Sequence, residues 1–114
     1  MALERGKLSN IVVVSAGSTA GIITVTSSKK VYVMSIVAYS PTGSATTAHV
    51  YVVPIGGSVE DSTKLFNIHL NAHETVLVEP SYPIVLDTTG DKISVGATGP
   101  GGNINFFITG DKEA

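Results

Sequence analysis

The chain has 114 residues, a formal net charge of −2 at pH 7 and no cysteine. That length suits one domain able to bury one core without staples, and the lack of cysteine excludes disulfides and thiolate metal sites. Charged residues make up 14% of the chain and apolar ones 43%, which argues against a polybasic nucleic-acid binder and against a highly charged disordered chain.

The opening segment, MALERGKLSN, carries charges with no hydrophobic stretch behind them, so it does not read as a secretory signal. No apolar run reaches the ~20 residues of a membrane helix. Residues 1–9 are expected to form an N-terminal arm or a short first strand, with Leu3 and Leu8 as its docking side chains. Residues 10–109 are expected to form the folded domain and 110–114 a polar tail. Ile11 to Val14 is a short apolar run closed by the turn cluster SAGSTAG. Ile22 to Thr26 alternates apolar and polar, the period of a half-buried strand.

Lys30 to Pro54 holds the longest apolar run, a turn and a second apolar run. Val31 to Tyr39 is rich in β-branched and aromatic residues, which fit a pleated surface. Strict alternation splits it into Val31, Val33, Ser35, Val37 and Tyr39 on one face and Tyr32, Met34, Ile36 and Ala38 on the other. Both faces are mostly apolar, so one is expected on the core and the other in an interface between copies. The interface face chosen from the pattern is that of Val31, Val33, Val37 and Tyr39. Ser40-Pro41-Thr42-Gly43-Ser44 presets φ at Pro41, frees it at Gly43 and ends the strand. Thr46 to Val53 alternates again, and neighbours joined by a short turn usually pair, which predicts a hairpin. In that register His49 and Tyr51 extend the interface patch.

Ile55 to Thr63 reads as a surface loop with two glycines and an acidic pair. Strands are expected over Lys64 to Leu70, Thr75 to Val78, Ile84 to Leu86, Lys92 to Val95 and Ile104 to Thr109, with turns rich in Gly, Asn, Asp and Pro between them. Eight or nine short strands with no amphipathic helix predict an all-β domain, a single β-sandwich of jelly-roll-like kind with about eight strands, or an immunoglobulin-like sandwich. The expected core is Ile23, Val25, Ile36, Val50, Val52, Phe66, Ile68, Leu70, Val76, Ile93 and Phe107.

Sites for chemistry are sparse. Asp87 and Asp91 flank a glycine turn and could offer oxygens to a cation, but Asp is equally a turn former. Glu60 and Asp61 read as a solvated loop tip. His69 and His73 are four apart, but a turn falls between them, so the helical zinc spacing does not apply. GATGPGG lacks the Lys-Ser/Thr of a phosphate-cradling loop, and no Ser sits in a G-x-S-x-G elbow. No cofactor, metal, nucleic acid or membrane is expected, and no enzymatic activity.

The segment order AGSTAGIITVTSSKKVYVMSIVAYSPTGSATTAHVYVVP, GGSVEDSTKLF, LNAHETVLVE and IVLDTTGDKISVGAT, from about Ser15 to Thr109, resembles small β-rich bacteriophage virion proteins of the capsid-decoration and tail-accessory kind. The position of His73 is commonly Gly in such proteins, a departure at this turn. The resemblance implies a non-enzymatic virion component assembled in symmetric copies. A capsid decoration or cement protein contacting itself and a major capsid protein is the expectation. A tail, neck or fibre module, or a carbohydrate-binding β-sandwich, is the alternative; the last would want an exposed aromatic platform.

Overall fold

The computed structural model describes residues 3–27, 29–99 and 102–113. Ten strands follow in order: β1 (Leu3–Lys7), β2 (Val12–Ser15), β3 (Thr19–Thr24), β4 (Val31–Tyr39), β5 (Thr46–Val53), β6 (Lys64–Leu70), β7 (Thr75–Val78), β8 (Ile84–Leu86), β9 (Lys92–Thr98) and β10 (Asn103–Glu113). A 3-10 turn over Asp61–Thr63 is the one helical element among the described residues. Among those residues no helix is long and apolar enough to cross a membrane.

All strand pairs are antiparallel. In the first sheet β10 lies between β4 and the pair β1/β2, and β4 lies between β10 and the pair β7/β8. The second sheet runs β3-β9-β5-β6. With β1/β2 and β7/β8 each counted as one interrupted strand, eight strands remain. The first pairs with the last, the second with the seventh, the third with the sixth and the fourth with the fifth. That order is what a long antiparallel ribbon gives when it is rolled across two sheets, and it defines a jelly roll. An immunoglobulin-like order is excluded by it.

The predicted hairpin is therefore corrected. β4 and β5 are consecutive but lie in different sheets, and residues 40–45 cross from one to the other. β4 already has β10 and β8/β7 on its two edges, while β5 has β9 and β6. At the N-terminus the short first strand is the reading that is present, and the polar tail is corrected. Leu3–Lys7 is hydrogen-bonded along β10, with Arg5 opposite Asp111, and residues 110–113 belong to β10.

The core fills the space between the sheets. Ile36, Ala38, Ile104, Phe106 and Ile108 of the first sheet meet Ile23, Ala48, Val50, Ile93, Val95 and Ala97 of the second. Fully burying each large apolar side chain contributes about 1.5–3 kcal/mol. Of the expected core, Ile23, Val25, Ile36, Val50, Leu70 and Ile93 are buried, and Val52, Phe66, Ile68 and Val76 pack against the cluster half-buried. Phe107 is the exception: Phe106 is the buried neighbour, at 0% exposure, and Phe107 lies on the opposite face of β10.

β4 does not keep one phase. Ser35 is opposite Thr109 and Val33 is opposite Gly110, so Met34 is an extra residue with no partner on β10. Such a bulge inserts one residue and inverts the alternation beyond it. Val31 and Val33 therefore point inward before the bulge, and Ile36 and Ala38 point inward after it. Gly110 makes this possible, because a Cβ there would run into the Tyr32 carbonyl oxygen and stand 3.0 Å from the Met34 nitrogen.

Candidate functional site

The bulge assembles an outer face on the first sheet that strict alternation does not foresee. Val31 and Val33, expected in the interface, belong to the core at 7% and 0% exposure. Val37 and Tyr39 are outward as expected, and they are joined by Tyr32 from the other predicted face. The register sets Val37 opposite both Phe107 and Leu77. Residues directly opposite share a face, so Phe107, Val37 and Leu77 form one apolar row across three strands. Extending the β2–β10 register by one residue brings Ile11 to the same row. The next row carries Val13, Asn105, Tyr39 and Thr75.

Below these rows Thr109 and Ser35 share a side-chain hydrogen bond, and Lys7 lies opposite Thr109. Further on, Tyr32 stands between Asp111 and Val85, and Arg5 Nε donates to Asp111 Oδ1 at 3.0 Å. Ile11, Val13, Met34, Leu77 and Val85 are all exposed, from 42% at Met34 to 65% at Ile11. The two rows centred on Val37 and Tyr39 hold no charged side chain. Leu3 on β1 is exposed, whereas Leu8 is half-buried against the core.

His49 and Tyr51 are not part of this face. They lie on the outer side of the second sheet, across the sandwich, because β5 is not paired with β4. Both are nevertheless buried, at 7% and 8% exposure. Their rings are 6.3 Å apart, Lys64 Nζ stands 5.8 Å from the Tyr51 ring, and the turn at Asp61–Thr63 packs on β5. His49 Nε2 and Thr98 Oγ1 are 2.9 Å apart. Its Nδ1 is buried without a partner at hydrogen-bonding geometry, with Asn67 opposite on β6. Burial pushes the imidazole below its usual value; Lys64 adds to this, and Asn67 and Asp61 oppose it.

The other polar candidates hold turns. Asp91 accepts from Ile55 N through Oδ1 and from Thr88 N through Oδ2, at 3.1 Å each, so both carboxylate oxygens tie loops together. Asp87 accepts from the Thr88 hydroxyl. Asp61 pairs with Lys64 at 3.3 Å, and the Glu60 amide donates to Thr63 Oγ1. His69 is exposed on β6, and His73 sits in the next turn with φ 59°. No group of three or more His, Asp or Glu gathers among the described residues. The sequence reading missed Tyr32, Phe107 and Leu77 as members of one face. The only signal was their apolar character, since the bulge that aligns them depends on a strand more than seventy residues away.

By its strand order the chain belongs to the jelly-roll class of β-sandwiches. No protein-family model and no curated protein matches it. Among solved structures it is similar to a chain from the structure of infectious bursal disease virus strain Gx, with 13% identity, a TM-score of 0.48 and 97% of this chain covered. It is similar also to a chain from the Gt strain of the same virus, with 11% identity, a TM-score of 0.45 and 97% coverage. The chain spans 30% and 32% of those two chains.

Proposed function

We propose that this chain is a structural protein of a virus particle that works by contact, and specifically a capsid decoration or cement protein of a bacteriophage head. The observation that carries the reading is the uncovered apolar face of the first sheet. Soluble monomers seldom leave a contiguous apolar patch of this kind exposed, and such patches are sites of association. The jelly-roll order and the low charge suit a building block, and the sequence resemblance to small phage virion proteins points to the particle. Catalysis has no part in this reading. The polar groups that could have served it are engaged in turns, as with Asp91, or buried in the outer layer of the second sheet, as with His49.

The test is mass spectrometry of purified particles from the source of this sequence, followed by imaging with a labelled antibody. The expected result is a regular copy number per particle and label on the head. Label confined to the tail would replace decoration by a tail module. Absence from purified particles would overturn the reading altogether.

A further inference from the structure

We infer that the outer face of the first sheet binds the same face of a second copy of this chain, about a two-fold axis running along β4 and β10. The inference deepens the assembly reading above by naming the partner of that surface.

Charge complementarity favours this pairing. One residue beyond β7, the register that pairs Ile36 with Val78 sets Glu79 opposite Ser35. Lys7 lies opposite Thr109, which is opposite Ser35 on its other side. Lys7 and Glu79 therefore stand at the two ends of one outward row, Lys7–Thr109–Ser35–Glu79, on the outermost strands. Within a single copy they are about 14 Å apart, three strand spacings, and cannot meet. Neither is in an ion pair among the described residues; Lys7 Nζ donates only to the neutral Asn10 side chain, at 2.8 Å.

A two-fold axis along the strands exchanges the β1 side of one copy with the β7 side of the other and leaves the rows level. Lys7 of each copy then faces Glu79 of its partner, twice in one dimer. The same operation lays Phe107 over Val37 of the partner and Ile11 over Leu77, so the central row is complementary to itself, as an isologous interface requires. Arg5, already neutralised by Asp111, comes over Val85, where no charge opposes it. A two-fold axis across the strands would leave every Lys7 and Glu79 without such a partner.

The area of the face suits a dimer as well. Four strands spaced about 4.8 Å apart, over the ~30 Å length of a nine-residue strand, make a face of about 600 Å². Two copies then bury about 1,200 Å², the lower bound of specific interfaces, with sheets about 10 Å apart and aligned to within about 30°.

The test is light scattering on the purified chain over the widest accessible concentration range. The expected wild-type mass rises toward twice 11.8 kDa. Val37→Asp is expected to hold it at the monomer mass with an unchanged circular dichroism spectrum. Lys7→Glu and Glu79→Lys, both on exposed side chains that leave the fold alone, should each weaken the dimer on the order of tenfold, because each sets like charges face to face at both rims. Mixing the two variants should recover association, since in the mixed dimer both rim contacts between positions 7 and 79 are again of opposite sign; loss in each variant alone together with recovery in the mixture is the pattern of a two-fold along the strands, because a two-fold across them predicts no loss in the single variants. A wild-type chain that stays monomeric at every concentration overturns the inference and leaves the virion reading to the particle experiment. A monomer that binds particles through this face would overturn it too, and would identify another virion protein as the occupant. A dimer untouched by Val37→Asp overturns the choice of face, and failure of the mixture to recover overturns the orientation.

Discussion

Gly110→Ala is the sharpest probe of the bulge on which the outer face depends. A methyl group at this position would overlap the Tyr32 carbonyl oxygen and stand 3.0 Å from the Met34 nitrogen and 3.1 Å from Leu8 Cδ1. The first two obstacles are backbone of the neighbouring strand, so no side-chain rotation relieves them. Either β4 moves away from β10 or the bulge flattens and turns Val31 and Val33 out of the core. Overpacking typically costs about 1–3 kcal/mol, and an obstacle made of backbone places this case near the top of that range. With a urea slope of roughly 1–3 kcal/mol per M, the midpoint should fall by about 1–3 M, read by far-ultraviolet circular dichroism. Gly43→Ala is the control: nothing lies within 4 Å of its added methyl, and the change should stay within about 0.5 kcal/mol. If Gly110→Ala were as stable as the wild type, β4 would have no bulge there. Val33 and Ile36 could not then share the inner side, and the outer face described above would not exist.

Three further outcomes are expected. Phe106→Ala should cost about 3–5 kcal/mol, the range for a buried phenylalanine, whereas Phe107→Ala in dilute solution should cost about 1 kcal/mol; equal losses in urea melts would refute the facing of β10. For His49, burial lowers the folded-state pKa, so the unfolded chain takes up the proton first as pH falls through the ordinary histidine value of about 6.5. Stability is therefore full above that value and declines below it, by at most about 1.4 kcal/mol per pH unit; thermal melts of His49→Gln should show a flatter acid limb, and parallel curves would refute the assignment. His73→Gly should raise the melting temperature, with a gain of about 1 kcal/mol, because His73 holds φ 59°, a conformation costly for a side chain and free for glycine; an unchanged or lower midpoint would contradict the left-handed turn.

The strands themselves were legible in the sequence. β4 through β8 occupy the spans that alternation and turn residues indicated. Both signals are local: alternation is a property of a few consecutive side chains, and Pro41, Gly90 or Asn71 act on the backbone beside them. What failed was the pairing of particular strands. Pairing β4 with β5 rested on adjacency in the chain, whereas the rolled ribbon gives β4 to β10 and β7/β8. His49 and Tyr51 consequently moved to the other side of the molecule.

The sequence by itself determined the all-β class, the single core, the spans of β4 through β8 and the excess of apolar surface on Val31–Tyr39. The tertiary structure decided which of those residues face inward and which face out. A period-2 pattern fixes the relative orientation of neighbouring side chains but not where that pattern breaks. The break at Met34 is set by Gly110, and the ion pair Arg5–Asp111 at the rim joins residues 106 positions apart. Contacts of that range exist only once the two ends of the chain lie side by side on β10, and the outer apolar face is a product of that closure.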